Sequence, residues 1–332
     1  MSDALLKNTF QKISPAYELV ADVTVATATT QVDFSGLNFG KDDDLLLVSG
    51  VVNAIASDVA LNLYVNNNTT ATNYYTQVLT SDATSVTSVR VNVMRSLNLT
   101  PSDTSIAYHK IKLTNNGYCV FQTDATRRIP SSPLSTNYFA TTTFTLTSIT
   151  QLTVLANTTN AIGVGSRFQL YRLKAKKVAD IIVSSATTQV DITGLSIDKD
   201  SEYMLVSDWV NPIASTSYLS MYFNDNVTPA NYHYQVLVAF STTVIGGRNN
   251  FSLISQNSGS LKTFSISNIK LTNNGYGITQ ASECRDYGSG IMAEKNYQTT
   301  TFTMTSITKL SIVSSVANAI GIGSRFTLYK MR

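Results

Sequence analysis

The chain has 332 residues, enough for two domains that each bury a core without disulfides or metals. Charged residues make up only 14% and the net charge is +3, with no basic block of five or more, so charge alone gives no case for nucleic-acid binding. Against a usual share of ~25% charged residues, the shortage implies a polar surface built from Ser, Thr and Asn, part of it covered by partners.

In chain order, the first pattern lies at 3–12. Leu6, Phe10 and Ile13 fall on one helical face at i, i+4 and i+7. Ser2 can cap the start and Pro15 discourages continuation. The spacing predicts a short amphipathic helical arm within 1–16. Such an arm either packs on its own domain or contacts a neighbouring subunit or a membrane, and Lys7 and Lys12 suit anionic headgroups. MSDALLKNTFQK lacks an apolar signal core, and LLLVSGVVNAIA at 45–56 is too short and broken to span a bilayer. The expected place of synthesis is a cytoplasm, without export by an ordinary signal.

Strands are predicted at 17–25, 30–34, 45–53, 60–66 and 74–80. The acid runs KDDD, 41–44, and DKDSE, 198–202, read as solvated turns; a calcium loop or a hydrolase carboxylate pair is the sharper reading. NNNTTATNYY at 66–75 mixes residues that hydrogen-bond and stack, so Asn73 and Tyr74 are candidates for a ligand or interface loop. Their bland reading is loop support. IKLTNNGYCVF, from 111, predicts a hairpin around Asn-Gly. TTTFTLTSIT at 141–150 and SRFQLYRLK, from 166, alternate apolar with polar residues, the mark of strands with one buried face. GVGS at 163–166 precedes a strand, so it reads as a turn and not a phosphate loop.

After KAKK, 174–177, which reads as a linker, the chain repeats itself. IKLTNNGY stands at 111–118 and 269–276, 158 positions apart. The same shift carries VAD at 20–22 onto 178–180, ATTQVD at 28–33 onto 186–191, and NAIGVGSRFQLY at 160–171 onto NAIGIGSRFTLY at 318–329. It also carries Asn73 and Tyr74 onto Asn231 and Tyr232, which join the candidate loop residues. The period is far longer than a solenoid unit, so each copy is a whole domain, 17–174 and 175–332. Roughly eight to ten short strands per copy predict an all-β fold of two tandem β-sandwich (jelly-roll) domains from an internal duplication. The copies diverge most at about 80–110 and 119–138 and at their counterparts, which reads as variable loop surface.

Residues that carry chemistry are sparse. His109 and His233 align with Ser267 and Tyr75, so no histidine is shared, and no G-x-S-x-G, H-E-x-x-H or paired C-x-x-C occurs. Cys119 and Cys284 also fall on non-equivalent positions, which predicts free thiols in a reducing compartment. The expectation is no enzyme, no catalytic or metal residue and no cofactor.

The closing pattern, SITQLTVLANTTNAIGVGSRFQLYRLK in one copy and SITKLSIVSSVANAIGIGSRFTLYKMR in the other, resembles the end of β-sandwich structural proteins of bacteriophages and other prokaryotic viruses. LNLYVNNNTTATNYYTQVL and LSMYFNDNVTPANYHYQVL carry the same resemblance, which covers most of both copies. Two fused sandwiches also look like double jelly-roll major capsid proteins, although visible similarity between halves departs from that class. The resemblance implies a capsid subunit forming pseudo-hexameric trimers in an icosahedral shell. Its implied partners are itself, other virion proteins and, through the arm, an internal membrane or neighbouring subunit. Sequence-specific nucleic acid is not among them. Its implied location is the virion, after synthesis in the host cytoplasm. A decoration protein, or a receptor- or carbohydrate-binding tail or fibre protein, is the alternative, and glycan hydrolysis at the acid loops a remote third.

Overall fold

A computed structural model describes residues 16–81, 85–101, 104–129, 132–259, 261–286 and 291–331. The expected helical arm, with Leu6, Phe10 and Ile13, lies outside these residues. The chain divides into two units, Met1–Lys174 with Phe240–Thr243, and Ala175–Ala239 with Val244–Arg332. Both are all-β. Among the described residues the helical content is two three-residue 3-10 turns, Ala71–Asn73 and Pro229–Asn231.

The first unit has twelve strands: β1 (Tyr17–Thr24), β2 (Gln31–Phe34), β3 (Asp44–Val52), β4 (Val59–Val65), β5 (Tyr74–Ser81), β6 (Val86–Val91), β7 (Leu97–Leu99), β8 (Thr104–Leu113), β9 (Tyr118–Ile129), β10 (Ser132–Thr145), β11 (Leu152–Ala156) and β12 (Arg167–Leu173). They form an eight-stranded sheet, β1-β12-β3-β8-β9-β10-β5-β6, and a four-stranded sheet, β2-β11-β4-β7. Every pair with a resolved register is antiparallel. The pairs nest. β5 meets β6, β4 meets β7, β3 meets β8, β2 meets β11 and β1 meets β12, while β9 and β10 form an inserted hairpin.

The second unit also has twelve: β13 (Lys176–Ile182), β14 (Gln189–Ile192), β15 (Glu202–Val210), β16 (Thr216–Phe223), β17 (Tyr232–Phe240), β18 (Thr243–Asn249), β19 (Ser255–Ser258), β20 (Lys262–Leu271), β21 (Tyr276–Asp286), β22 (Ile291–Thr303), β23 (Leu310–Ser314) and β24 (Arg325–Lys330). Its sheets, β13-β24-β15-β20-β21-β22-β17-β18 and β14-β23-β16-β19, repeat the first unit's order strand for strand.

In each unit the two sheets share one core, the hallmark of a β-sandwich. Leu47, Ile111, Phe121 and Phe168 from the large sheet of the first unit cluster with Val32, Leu61, Leu63 and Val154 from the small one. Burying each such side chain is worth about 1.5–3 kcal/mol. The predicted one-sided burial of 167–173 is corrected: Gln169 and Tyr171 are buried too. The cause is a second apolar cluster on the outer face of this sheet, where Tyr171 packs with Leu46 and Val48.

Two further expectations change. The hairpin at Asn115–Tyr118 is not a two-residue Asn-Gly turn. Gly117 N donates to Thr114 O (2.9 Å), and Gly117 carries the positive φ of +85°, a three-residue loop closed by a glycine bulge. The divergent stretch 119–138 is not loop surface either. It forms β9 and β10, two of the longest strands, so the copies diverge inside a sandwich.

Candidate functional site

The repeated residues hold the frame. Asp22 on β1 receives Arg167 of β12 through Nε (2.9 Å) and Nη2 (2.5 Å), and Gln169 Nε2 donates to it at 2.8 Å. Asp180 and Arg325 repeat this clamp at 2.8 and 2.6 Å. The Arg325 hydrogen bonds hold the Asp180 carboxyl well below the usual carboxylate range. The repeated VAD and SRF are the two halves of this clamp, which fixes each unit's first strand to its last. Asn66 and Asn224 work similarly: their Oδ1 atoms accept from Thr150 N (2.8 Å) and Thr308 N (2.7 Å).

The candidate loop residues fall into the same class. Tyr74 and Tyr232 are 0% exposed. Their hydroxyls donate to Asn68 O (2.8 Å) and Asn226 O (2.9 Å) and accept from Val65 N and Phe223 N. Burial pushes the Tyr232 hydroxyl up to about 12. Asn73 and Asn231 donate to Asn68 Oδ1 and Asn226 Oδ1, each at 2.9 Å. Of the two readings of this loop, the packing is that of loop support: the rings pack edge-on against Phe144 and Phe302. The 3-10 turn before each tyrosine turns its ring inward.

The other candidates stay scattered. Asp43 pairs with Arg172 at 2.6 Å and Asp44 with Lys112 at 3.0 Å, while Asp198 accepts from Asp200 N and Ser201 Oγ in its own turn. His109 lies in the first core between Ser49 Oγ (2.9 Å) and Thr123 Oγ1 (2.8 Å), and burial pushes its pKa down to about 3. His233 is exposed beside Asn250. Cys119 and Cys284 are buried and form no disulfide. GVGS and GIGS are turns whose Ser166 and Ser324 Oγ accept from Val52 N and Val210 N. An open groove of about 650 Å³ runs between Asn115–Gly117 and Thr145–Ser148.

Two features remain. One is apolar exposure at the outer strands of both large sheets. Leu19 on β1 is 48% exposed, Ile182 on β13 53% and Ile245 on β18 55%, and Val86 and Val89 on β6 are exposed as well. Edge strands expose unpaired backbone groups and are usually protected by charge or bulges. Here Val20 sits at a bulge on β1 and Val178 at the matching bulge on β13, both exposed. These edges are the candidate interface.

The second feature is a polar interior in the second unit. Glu283 and Arg285 on β21, Glu294, Asn296 and Gln298 on β22, and Ser255 and Asn257 on β19 are all buried. The residues 158 positions earlier at six of these seven places are Ala125, Thr136, Tyr138, Ala140, Leu97 and Leu99. Gln298 Oε1 accepts from Ser252 Oγ (2.8 Å), and Glu283 Oε2 accepts from Gln256 N (3.0 Å). Arg285 Nη2 lies 3.1 Å from Glu294 Oε2, and its Nε lies 3.5 Å from Glu283 Oε1. Among the described residues, Arg285 Nη1, Asn257 Oδ1 and the Ser265, Ser267 and Thr279 hydroxyls have no hydrogen-bond partner. Sequence reasoning missed this set. Its signal was present as four apolar-to-polar changes relative to the first copy, Phe121 to Thr279, Ala125 to Glu283, Tyr138 to Asn296 and Ala140 to Gln298.

No protein-family model matches the chain, and no curated protein matches it. Among solved structures it is similar to domains LG4-5 of the mouse laminin alpha1 chain, with TM-score 0.21 and 9% identity over 96% of this chain and 90% of that one. It is also similar to Ail, the attachment invasion locus protein of Yersinia pestis, solved with the heparin analogue sucrose octasulfate (TM-score 0.11, 6% identity, 82% of this chain and 98% of that chain). A third is the 12:0-ACP thioesterase of Umbellularia californica (TM-score 0.11, 9% identity, 72% and 75%). These scores are too low to assign a fold family or a function.

Proposed function

We propose that the chain is a virion structural protein, a coat subunit of two tandem jelly rolls that arose by internal duplication. The observation that supports this best is the nested pairing. In a jelly roll one long hairpin is rolled up, so its successive strand pairs alternate between two sheets. Here β2·β11 and β4·β7 lie in the small sheet and β3·β8 and β5·β6 in the large one, and the second unit repeats the order. Jelly rolls recur in viral capsid domains, which makes this reading an analogy of fold joined to the repeat and the apolar edges.

In this reading the chain acts as a building block. It assembles as a pseudo-hexameric trimer, and trimers tile an icosahedral shell with other virion proteins. Closed symmetric assembly is the common fate of such subunits. Segment 1–16 is assigned to contact with a neighbouring subunit or an internal membrane. The exposed apolar edges supply contacts between chains.

Native mass measurement of the purified full chain tests this. The expected result is a trimer or larger assembly, lost in Leu19→Lys/Ile182→Lys protein whose thermal midpoint is unchanged, because both residues are exposed. A strict monomer at high concentration would overturn the proposal.

A further inference from the structure

The second unit's interior contains an arrangement that sandwich architecture does not require. Glu283 on β21 and Glu294 on β22 stand directly opposite each other in the antiparallel register. Both are buried, at 0% and 2% exposure. Directly opposed like charges repel at close range even on a sheet surface. In a dry interior the cost is larger, and one arginine can neutralise only one of the two carboxylates. Arg285, two residues along β21 on the same face, is that arginine.

We infer that Glu283 and Glu294 share one proton beside Arg285 and form a pH-sensitive latch that loosens the β21–β22 hairpin of the second sandwich alone. The first sandwich has Ala125 and Thr136 at these two places, so the same fold closes there without the pair. The inference stands whether or not the chain builds a shell.

The surroundings support it. From β20 the facing residues are Thr263 and Ser265, from β19 Ser255 and Asn257, and from β17 Tyr234. None is charged at neutral pH. Among the described residues the charges acting on Glu283 are Glu294 and Arg285. Burial, and then Glu294, push Glu283 up to about 8 from 4.5, with Arg285 opposing. Burial pushes Glu294 up too, and Arg285 holds it back.

The sign follows from linkage. The folded unit holds a proton that the unfolded chain releases near pH 4.5. Its stability is therefore full below that value and falls as pH rises towards about 8, then levels off. Each pH unit in that window changes the opening equilibrium by up to about tenfold.

Hydrogen exchange on the full chain between pH 5 and 9, corrected for intrinsic exchange, reads this directly. Peptides from β21 and β22 should open up to about tenfold more readily per pH unit up to pH 8, while peptides from β9 and β10 should not. Glu283→Gln should abolish the rise in β21 and β22. The wild-type infrared spectrum supplies a second readout that needs no variant: a buried protonated carboxyl band present at pH 6 and lost by pH 9. Equal pH dependence in the two hairpins, an unchanged profile in Glu283→Gln, or no such band would overturn the inference.

Discussion

Asp180 shows what a single repeated residue does. Its carboxylate accepts from Arg325 Nε and Nη2 and from Thr327 Oγ1, so one side chain ties β13 to β24 at several points. Asp180→Asn breaks the bidentate pairing with Arg325, itself 9% exposed. The expected loss is about 1.5–3 kcal/mol by urea denaturation, the range for hydrogen bonds to charged groups. Because the carboxyl is held low in the folded state, its contribution is present above pH 3.8 and disappears as pH falls through the folded value. The Asn variant should therefore lose less stability on acidification than wild type. The repeated glycines also act singly: a Cβ on Gly117 would lie 3.0 Å from Leu146 O, and one on Gly275 2.9 Å from Met304 O. IKLTNNGY recurs because that turn tucks against the backbone just past the end of β10 and of β22.

Between elements, the copies exchange volume in matched pairs. Cys119 on β9 becomes Gly277 on β21, while Val65 on β4 becomes Phe223 on β16. A Cβ at Gly277 would stand 2.7 Å from the Phe223 ring. Gly277→Cys alone should cost about 1–3 kcal/mol by overpacking. Adding Phe223→Val should recover most of it, since the first unit already packs that way. A double-mutant cycle in denaturant should show coupling of about 0.5–3 kcal/mol. Much of the strand frame was legible in the sequence, since the strands predicted at 45–53, 60–66 and 74–80 coincide with β3, β4 and β5 within a residue or two. The β9–β10 and β21–β22 hairpins were not. Their apolar code differs between copies, and residues such as Glu283 and Asn296 read as solvent-facing. Only the pairing across β19, β20 and β22 reveals that they point inward. For the tyrosines the sequence left two readings open, loop contact and loop support, because the ring partner of Tyr74, Phe144, lies in another segment.

For the whole molecule, the division of labour is the main result. Repeated residues maintain the same frame in both units, while a set of the residues that differ builds a polar interior in the second unit. Charge is scarce overall, yet the second unit buries two glutamates and an arginine in one core. The strands at the margins carry exposed apolar residues, such as Leu19 and Ile182, beside their charges. A protein with these margins is expected to find copies of itself, and its low charge offers little repulsion to prevent it. Electron microscopy of the full-length protein at high concentration tests that expectation most directly. The account predicts closed rings or a lattice in which each chain contributes two similar β-sandwiches. A uniform field of separate single chains would contradict it.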